Sequence, residues 1–353
     1  MKKFAVFSGF LGSGKTTTMM ALTNYVSQTL GRAAMISNDL GKQSLADNKM
    51  AQLSGCNASE LTEACICYQT ENLVARLDKL FDEEGCCLVI SDIPGFGVGA
   101  LDHVYHTLHR KYPGRYALAP FTVLVEPRTV KLLQQDQGGD LAYILHTQLR
   151  EADLLVLNKC DLLSQEEQKS ALTWLEGRYP QAKALAISAR TGEGLPHLAQ
   201  ALLQQEASLQ LPDIGYGGAD FSAAMGKMAE FYAQYYATVC CNDFDGNDYL
   251  LALADAAAQG VRTVGGEIPH LKLLAWEPEG DYGKADLLGT DRPVELTKAF
   301  SAPCTQLAVM LNASAACPSQ ALDRILTEAM EQVSGAFNLE LVLYKKECFG
   351  MGG

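Results

Sequence analysis

The first sixteen residues limit how this chain can fold more than any other stretch. An apolar run at residues 4–7 stops at Ser8-Gly9, and Gly9-Phe10-Leu11-Gly12-Ser13-Gly14-Lys15-Thr16 leads directly into a helix-compatible stretch at 15–30. A strand, a glycine-rich turn and a helix in that order let backbone N–H groups converge on an anion at the helix N-terminus. The pattern G-x-x-x-x-G-K-[ST] in this context predicts a phosphate-binding loop. Gly9, Gly12, Ser13 and Gly14 would form the cradle. Lys15 would reach the β and γ phosphates, Thr16 would give a hydroxyl to Mg²⁺, and Thr17 would continue the site into the first helical turn.

The rest of 1–210 fits such a domain. Apolar runs at 33–36, 87–91, 121–125, 154–157 and 184–187 alternate with helical stretches at 72–84, 99–111, 165–178 and 195–206. That alternation predicts an α/β domain, a mostly parallel sheet with helices on both faces. Pro212 and the glycines of 211–218 predict a linker. From 219 to 353 the pattern predicts a smaller α+β domain, with helices at 221–238, 249–259 and 319–333, a strand pair at 270–276 and 306–311, and a last strand at 339–344. Two domains are also what 353 residues lead one to expect.

The other strand ends carry further chemistry. Asp92-Ile93-Pro94-Gly95 closes the third run, so Asp92 is expected to face Mg²⁺ and the Gly95 N–H to meet the γ-phosphate. Asn158-Lys159-Cys160-Asp161 follows the fifth run. There the Asp161 carboxylate can accept two hydrogen bonds that guanine offers and adenine does not. Lys159 would pack along the base and Asn158 would brace the loop. Ser188-Ala189 follows the sixth run, with the Ala189 N–H expected on guanine O6. The ligand these motifs predict is GTP or GDP with Mg²⁺.

Composition narrows the partners. Lys and Arg number 28 against 41 Asp and Glu, a formal charge of −13, which counts against nucleic acid and anionic membranes. No run approaches the roughly 18 apolar residues of a membrane span, and the basic N-terminus lacks a cleavage site, so a cytoplasmic location is expected. The cysteines number 11, an odd count in a chain expected to keep its thiols reduced. Cys86 and Cys87 read as small hydrophobes of a strand.

The run Gly9 to Thr17, together with Glu60-Leu61-Thr62-Glu63-Ala64-Cys65-Ile66-Cys67 and Asp153-Leu154-Leu155-Val156-Leu157-Asn158-Lys159-Cys160-Asp161-Leu162, resembles the CobW family of P-loop GTPases, relatives of the UreG, HypB and MeaB GTPases. The likeness covers about residues 1–210. It implies a metallochaperone that couples GTP hydrolysis to delivery of a metal, Zn²⁺ or Co²⁺, or of a cobalamin-related cofactor. The partner would be a client metalloenzyme or corrinoid protein, and the second domain would touch that client or its cofactor. The alternative implied is a GTPase that gates or reactivates a corrinoid enzyme by protein contact and carries no metal.

Such relatives usually carry Cys-x-Cys-Cys where this chain has Cys65-Ile66-Cys67-Tyr68. Two thiolates are short of the roughly four ligands zinc takes. Cys56, Asp39, water or a partner would complete the shell, or else the two cysteines simply line the switch region. Asn38-Asp39-Leu40-Gly41 stands where the family often has Asn-Glu-Phe-Gly, which makes Asp39 a switch carboxylate near Mg²⁺. Phe96 occupies the place of the water-orienting glutamine of many signalling GTPases. Slow intrinsic hydrolysis is therefore expected, accelerated by a partner or by formation of a homodimer.

Other polar clusters read as structural. His103, His106 and His109 are spaced so that they drift around a helix rather than converge. The run 242–248 resembles a calcium loop but lacks its final glutamate, and reads as a helix-joining turn and cap. His270 and Cys348 read as structural as well.

Overall fold

The computed structural model describes residues 2–38, 51, 55–61, 64–95, 97–135, 140–212, 223, 225–240, 242–278, 280–290 and 292–351. The chain divides into two compact units, 1–221 and 222–353.

In the first unit, strand β1 (Lys3–Gly9) is followed by helix α1 (Lys15–Thr29), β2 (Ala33–Asn38) and β3 (Ala58–Leu61). Next come α2 (Thr70–Asp78), extended by a wider helical turn at Lys79–Glu83, and β4 (Leu88–Asp92). Helix α3 begins as a wide turn, Leu101–His106, and tightens over Thr107–Lys111. The remaining elements are β5 (Ala117–Leu118), β6 (Thr122–Val125), α4 (Pro127–Gln134), α5 (Asp140–Arg150), β7 (Leu154–Leu157), α6 (Gln165–Arg178), β8 (Lys183–Ala186) and α7 (Leu195–Gln204).

Among the described residues these strands form one sheet in the order β3-β2-β4-β1-β6-β7-β8, with the short β5 beside β1, and every pairing is parallel. Successive residues of β1 face opposite sides. Ala5 and Phe7 pack with Met19, Leu22 and Val26 of α1 and with Leu198 and Leu202 of α7. On the other side, Phe4 meets Tyr105 of α3, whose ring stands edge-on to Phe121 and whose hydroxyl accepts the Val6 N–H at 2.9 Å. Helices thus cover both faces. Because the strands are parallel, Gly9, Asn38, Asp92 and the loop after Leu157 all emerge at one edge, where ligands of such sheets bind.

The second unit runs β9 (Ala229–Val239), α8 (Gly246–Thr263), β10 (Glu267–Trp276), β11 (Tyr282–Leu287), β12 (Glu295–Lys298), β13 (Gln306–Ala316), α9 (Ser319–Ala336) and β14 (Leu339–Gly350). Its strands form an antiparallel sheet in the order β12-β11-β10-β13-β9-β14. Leu253, Ala257 and Val261 of α8 and Leu322, Leu326 and Met330 of α9 close the core over Phe231, Tyr235, Leu273 and Leu311.

The structure corrects the expected helix over 221–238. Residues 229–239 are strand β9, because Phe231, Ala233, Tyr235 and Ala237 are buried while Tyr232, Gln234 and Tyr236 between them are not, a period of two. The run after Asn242 caps α8 but joins it to a strand, not to another helix. Residues 213–218 of the expected linker lie outside the described residues. No helix among the described residues is long and apolar enough to cross a membrane.

Candidate functional site

The phosphate loop is built by glycine geometry. Gly9, Gly12 and Gly14 hold φ values of 132°, 78° and 88°. A Cβ at Gly9 would lie 2.3 Å from the Leu124 carbonyl oxygen, and one at Gly14 would lie 2.3 Å from Asn158 Nδ2. Only glycine lets the loop approach β6 and the loop after β7 so closely. Helix α1 starts at Gly14 with no side-chain cap and no acidic residue in its first turn, which holds Thr16 and Thr17. Its positive dipole end therefore carries no acidic side chain that would repel an anion. The Lys15 ammonium curls over the loop, donating to the carbonyls of Gly9 at 2.7 Å and Phe10 at 3.4 Å. Ser13 Oγ is buried with no hydrogen-bond partner among the described residues, an orphan that a phosphate oxygen would satisfy. These residues fit a polyphosphate.

Asp92 ends β4 beside β1, and its buried Oδ1 accepts the Asn38 N–H at 2.9 Å. Gly95 lies against the phosphate loop, since a Cβ there would sit 2.5 Å from the Leu11 side chain. Asp39 and Phe96 lie outside the described residues. Two side chains that carry no motif hold this segment from behind. Gln148 Nε2 donates to the Gly95 carbonyl at 2.8 Å and the Gly97 carbonyl at 3.1 Å. Glu151 accepts the N–H groups of Gly99 at 2.9 Å and Leu101 at 3.4 Å. Burial raises the Glu151 carboxyl to about 7, although both N–H bonds favour its charged form.

Asn158 ties the base loop to the phosphate loop. Its Nδ2 donates to the Ser13 carbonyl at 2.9 Å, and its Oδ1 accepts the Ala189 N–H at 3.1 Å. The N–H expected on guanine O6 is thus engaged within the protein. Lys159 adopts φ 61°, and its ammonium is fixed 2.7 Å from Glu126 Oε2 at the end of β6. Asp161 is exposed, Cys160 is buried, and buried Ser188 accepts the Thr191 N–H.

Cys65 and Cys67 are brought together, with Sγ atoms 2.9 Å apart. The neighbouring thiol and the Cys67 N–H hold Cys65 below the ordinary thiol range, while sharing a proton with Cys65 and burial push Cys67 up. The pair is braced by Asn38, whose Nδ2 donates to the carbonyls of Leu61 at 3.2 Å and Ala64 at 2.9 Å and whose Oδ1 accepts the Ile66 N–H at 2.8 Å. Cys56 does not join them. It packs in the core against Met20 and Thr23, where burial pushes its thiol up to about 11. Among the described residues no three His, Cys, Asp or Glu side chains gather so as to hold a metal. Tyr68 is 69% exposed, its ring 5.8 Å from that of His103.

The histidines of α3 part ways: His103 meets Tyr68, His106 Nε2 lies 2.9 Å from the Leu209 carbonyl oxygen, and His109 is exposed. In the second unit Asp245 caps α8 through the N–H groups of Asn247 and Asp248. Burial penalises the charge of Asp286, but Lys284, His270 and Lys272 outweigh it and keep the carboxylate ionised. Cys348 contacts the Ser319 carbonyl oxygen. Asn38, Glu126, Gln148 and Glu151 were not anticipated as parts of the site. Glu126 ends an apolar run and Asn38 opens the run 38–41, whereas Gln148 and Glu151 stand in no motif.

The CobW/HypB/UreG nucleotide-binding domain matches residues 3–185. A curated relative, zinc-regulated GTPase metalloprotein activator 1 of Dictyostelium discoideum, is 27% identical over 218 residues, covering 51% of this chain and 44% of its own. The chain thus spans less than half the length of that relative. Among solved structures, HypB from Helicobacter pylori in complex with nickel is 19% identical with a TM-score of 0.40, covering 57% of this chain and 86% of its own. Zn(II)-bound YjiA GTPase from E. coli is 15% identical with a TM-score of 0.38, covering 94% of this chain and 98% of its own. With the family domain matched over more than half of its length, and with the phosphate loop that such a domain requires, this chain belongs to the CobW/HypB/UreG family.

Proposed function

We propose that this chain is a slow GTPase that couples its nucleotide state to delivery of a soft transition metal, Zn²⁺ or Co²⁺, to a client metalloenzyme. Family membership and the name of the curated relative, a zinc-regulated activator of metalloproteins, support this reading. The Mg²⁺ of the site would be held by Thr16 and Asp92, with Asp39 a switch carboxylate near it. When bound, Mg²⁺ would neutralise phosphate charge during hydrolysis. Asp161 and Lys159 select and orient guanine, and Lys15 neutralises the phosphates. Cys65 and Cys67 are two donors for the cargo, and Asp39, water or the client supplies the rest.

The observation that carries the coupling is the double engagement of Asn38. Its backbone N–H is bonded to Asp92, while its side chain is bonded to the backbone on both sides of Cys65. A shift of Asp92 on nucleotide exchange therefore has a short route of hydrogen bonds to the thiols. The test is Co²⁺ and Zn²⁺ affinity with GTP or GDP bound, in the wild type and in Cys65→Ala/Cys67→Ala. Nucleotide state should change metal affinity about tenfold or more, the usual range for coupled sites, and the double variant should lose both affinity and coupling. Metal binding that ignores either nucleotide or cysteines would refute the proposal.

The incomplete donor set keeps one second reading in view, a GTPase that gates a corrinoid enzyme by contact alone. That reading expects no metal dependence on Cys65 and Cys67 in the same experiment.

A further inference from the structure

The backbone after Asp92 is held by two buried polar side chains that lie more than fifty positions further along the chain. An amide and a carboxylate are costly to bury unless they are hydrogen-bonded. At Gln148 and Glu151 these bonds go to main-chain groups of the segment that follows the Mg²⁺ carboxylate. The Gln148 amide spans the carbonyls of Gly95 and Gly97, one on each side of residue 96. The Glu151 carboxylate spans the N–H groups of Gly99 and Leu101, where α3 begins. A tight turn, Gly97 N–H to the Pro94 carbonyl at 2.7 Å, lies at the first of the two attachments. The front of the same segment rests on the phosphate loop through Gly95 and Leu11.

We propose that Gln148 and Glu151 are positioning residues for γ-phosphate recognition, together holding the backbone at Gly95, Gly97, Gly99 and Leu101 while Gly95 rests on the phosphate loop. The inference rests on the reading of Gly95 as the residue that meets the γ-phosphate. With the Gly95 carbonyl held by Gln148 and its Cα against Leu11, the residue is restrained on two sides before the nucleotide arrives. GTP then loses little affinity to ordering this glycine-rich segment. GDP makes no contact there and gains nothing from the clamp. Steadying a backbone does not orient a water molecule, so hydrolysis stays slow while recognition of the γ-phosphate is retained.

The clamp is tested on the full chain by measuring equilibrium affinities for GDP and for a non-hydrolysable GTP analogue with Mg²⁺. The variants are Gln148→Met, which keeps volume and removes both donors, and Glu151→Gln, which replaces one of two acceptors with a donor. Each should weaken the GTP analogue about tenfold, the size expected for losing a buried hydrogen bond, and leave GDP within about twofold of wild type. Unaltered GDP affinity also certifies the fold, which a general packing defect would not spare. A GTP-to-GDP affinity ratio equal to that of wild type in both variants would overturn the clamp alone. A wild type that prefers ATP to GTP, or binds neither, would instead overturn the nucleotide reading on which the clamp depends.

Discussion

Lys159 sits with its backbone at φ 61° and its ammonium 2.7 Å from the Glu126 carboxylate, so this side chain is oriented before any base arrives. Removing the charge with Glu126→Gln leaves a weaker acceptor in place. GTP affinity should fall about three- to tenfold by loss of a charge-assisted hydrogen bond, with the preference for GTP over ATP retained because Asp161 is untouched. Asp161→Asn should do the opposite, relaxing base choice by about tenfold or more, since its carboxylate reads two guanine donors that adenine lacks. Competition titrations with both nucleotides separate the two effects. An unchanged GTP preference in Asp161→Asn would remove that residue from the base site. The residues legible in the sequence were those of short motifs at strand ends, because phosphate and guanine recognition is concentrated in short loops. Asn38 was legible as part of a motif but not for the bonds it makes, and Gln148 and Glu151 stand in no motif. Their hydrogen bonds reach 28, 53 and 52 positions away.

At the scale of elements, helix ends show how local rules set the frame that carries the loops. Helix α6 opens with a capping box: the Ser164 hydroxyl accepts the Glu167 N–H, and the Glu167 carboxylate accepts the Ser164 N–H at 2.9 Å. Helix α8 opens with Asp245 accepting the N–H of Asn247 at 2.8 Å. Ser164→Ala and Asp245→Ala should each cost about 1 kcal/mol in urea denaturation, the usual value of a lost cap. Calcium should not change the second result. Stabilisation by calcium that vanishes in Asp245→Ala would show that the run at 242–248 binds the ion after all. The elements of the first unit were largely legible, since buried parallel strands read as short apolar runs between helical stretches. The extended alternation of β9 was mistaken for a helix because Ala233 and Ala237 also suit a helical period, and the four-residue β12 has too few buried positions to announce itself. Helix α4, opened by Pro127 after Glu126, had a start signal that its short length obscured.

Among the described residues, each unit carries a buried carboxyl raised to near neutrality. Glu230 on β9 is fully shielded, and burial raises its carboxyl to about 7, against the stabilising bonds from Ser314 and Tyr232. Glu151 in the first unit is raised to a similar value by the same cause. The sign follows from linkage. In the unfolded chain each carboxyl releases its proton near the ordinary 4.5, while in the folded chain it holds that proton up to about 7. The folded state therefore binds more protons between these limits, and stability falls as pH rises through them. The contribution is complete below about pH 4.5 and is lost as pH passes about 7. Its ceiling is roughly 3 kcal/mol per group. Glu230→Gln replaces a titrating group with a neutral one that still accepts from Ser314, so the second unit should lose part of its pH dependence between pH 5.5 and 8. Glu151→Gln should do the same for the first unit. Two units need not unfold together, so the variants are best compared by urea unfolding followed with hydrogen exchange, which assigns each transition to its own amides. Each substitution should flatten the pH slope in its own unit and leave the other unit's slope as in wild type. Slopes unchanged by either substitution would mean that both carboxylates are already ionised in the folded protein at pH 5.5.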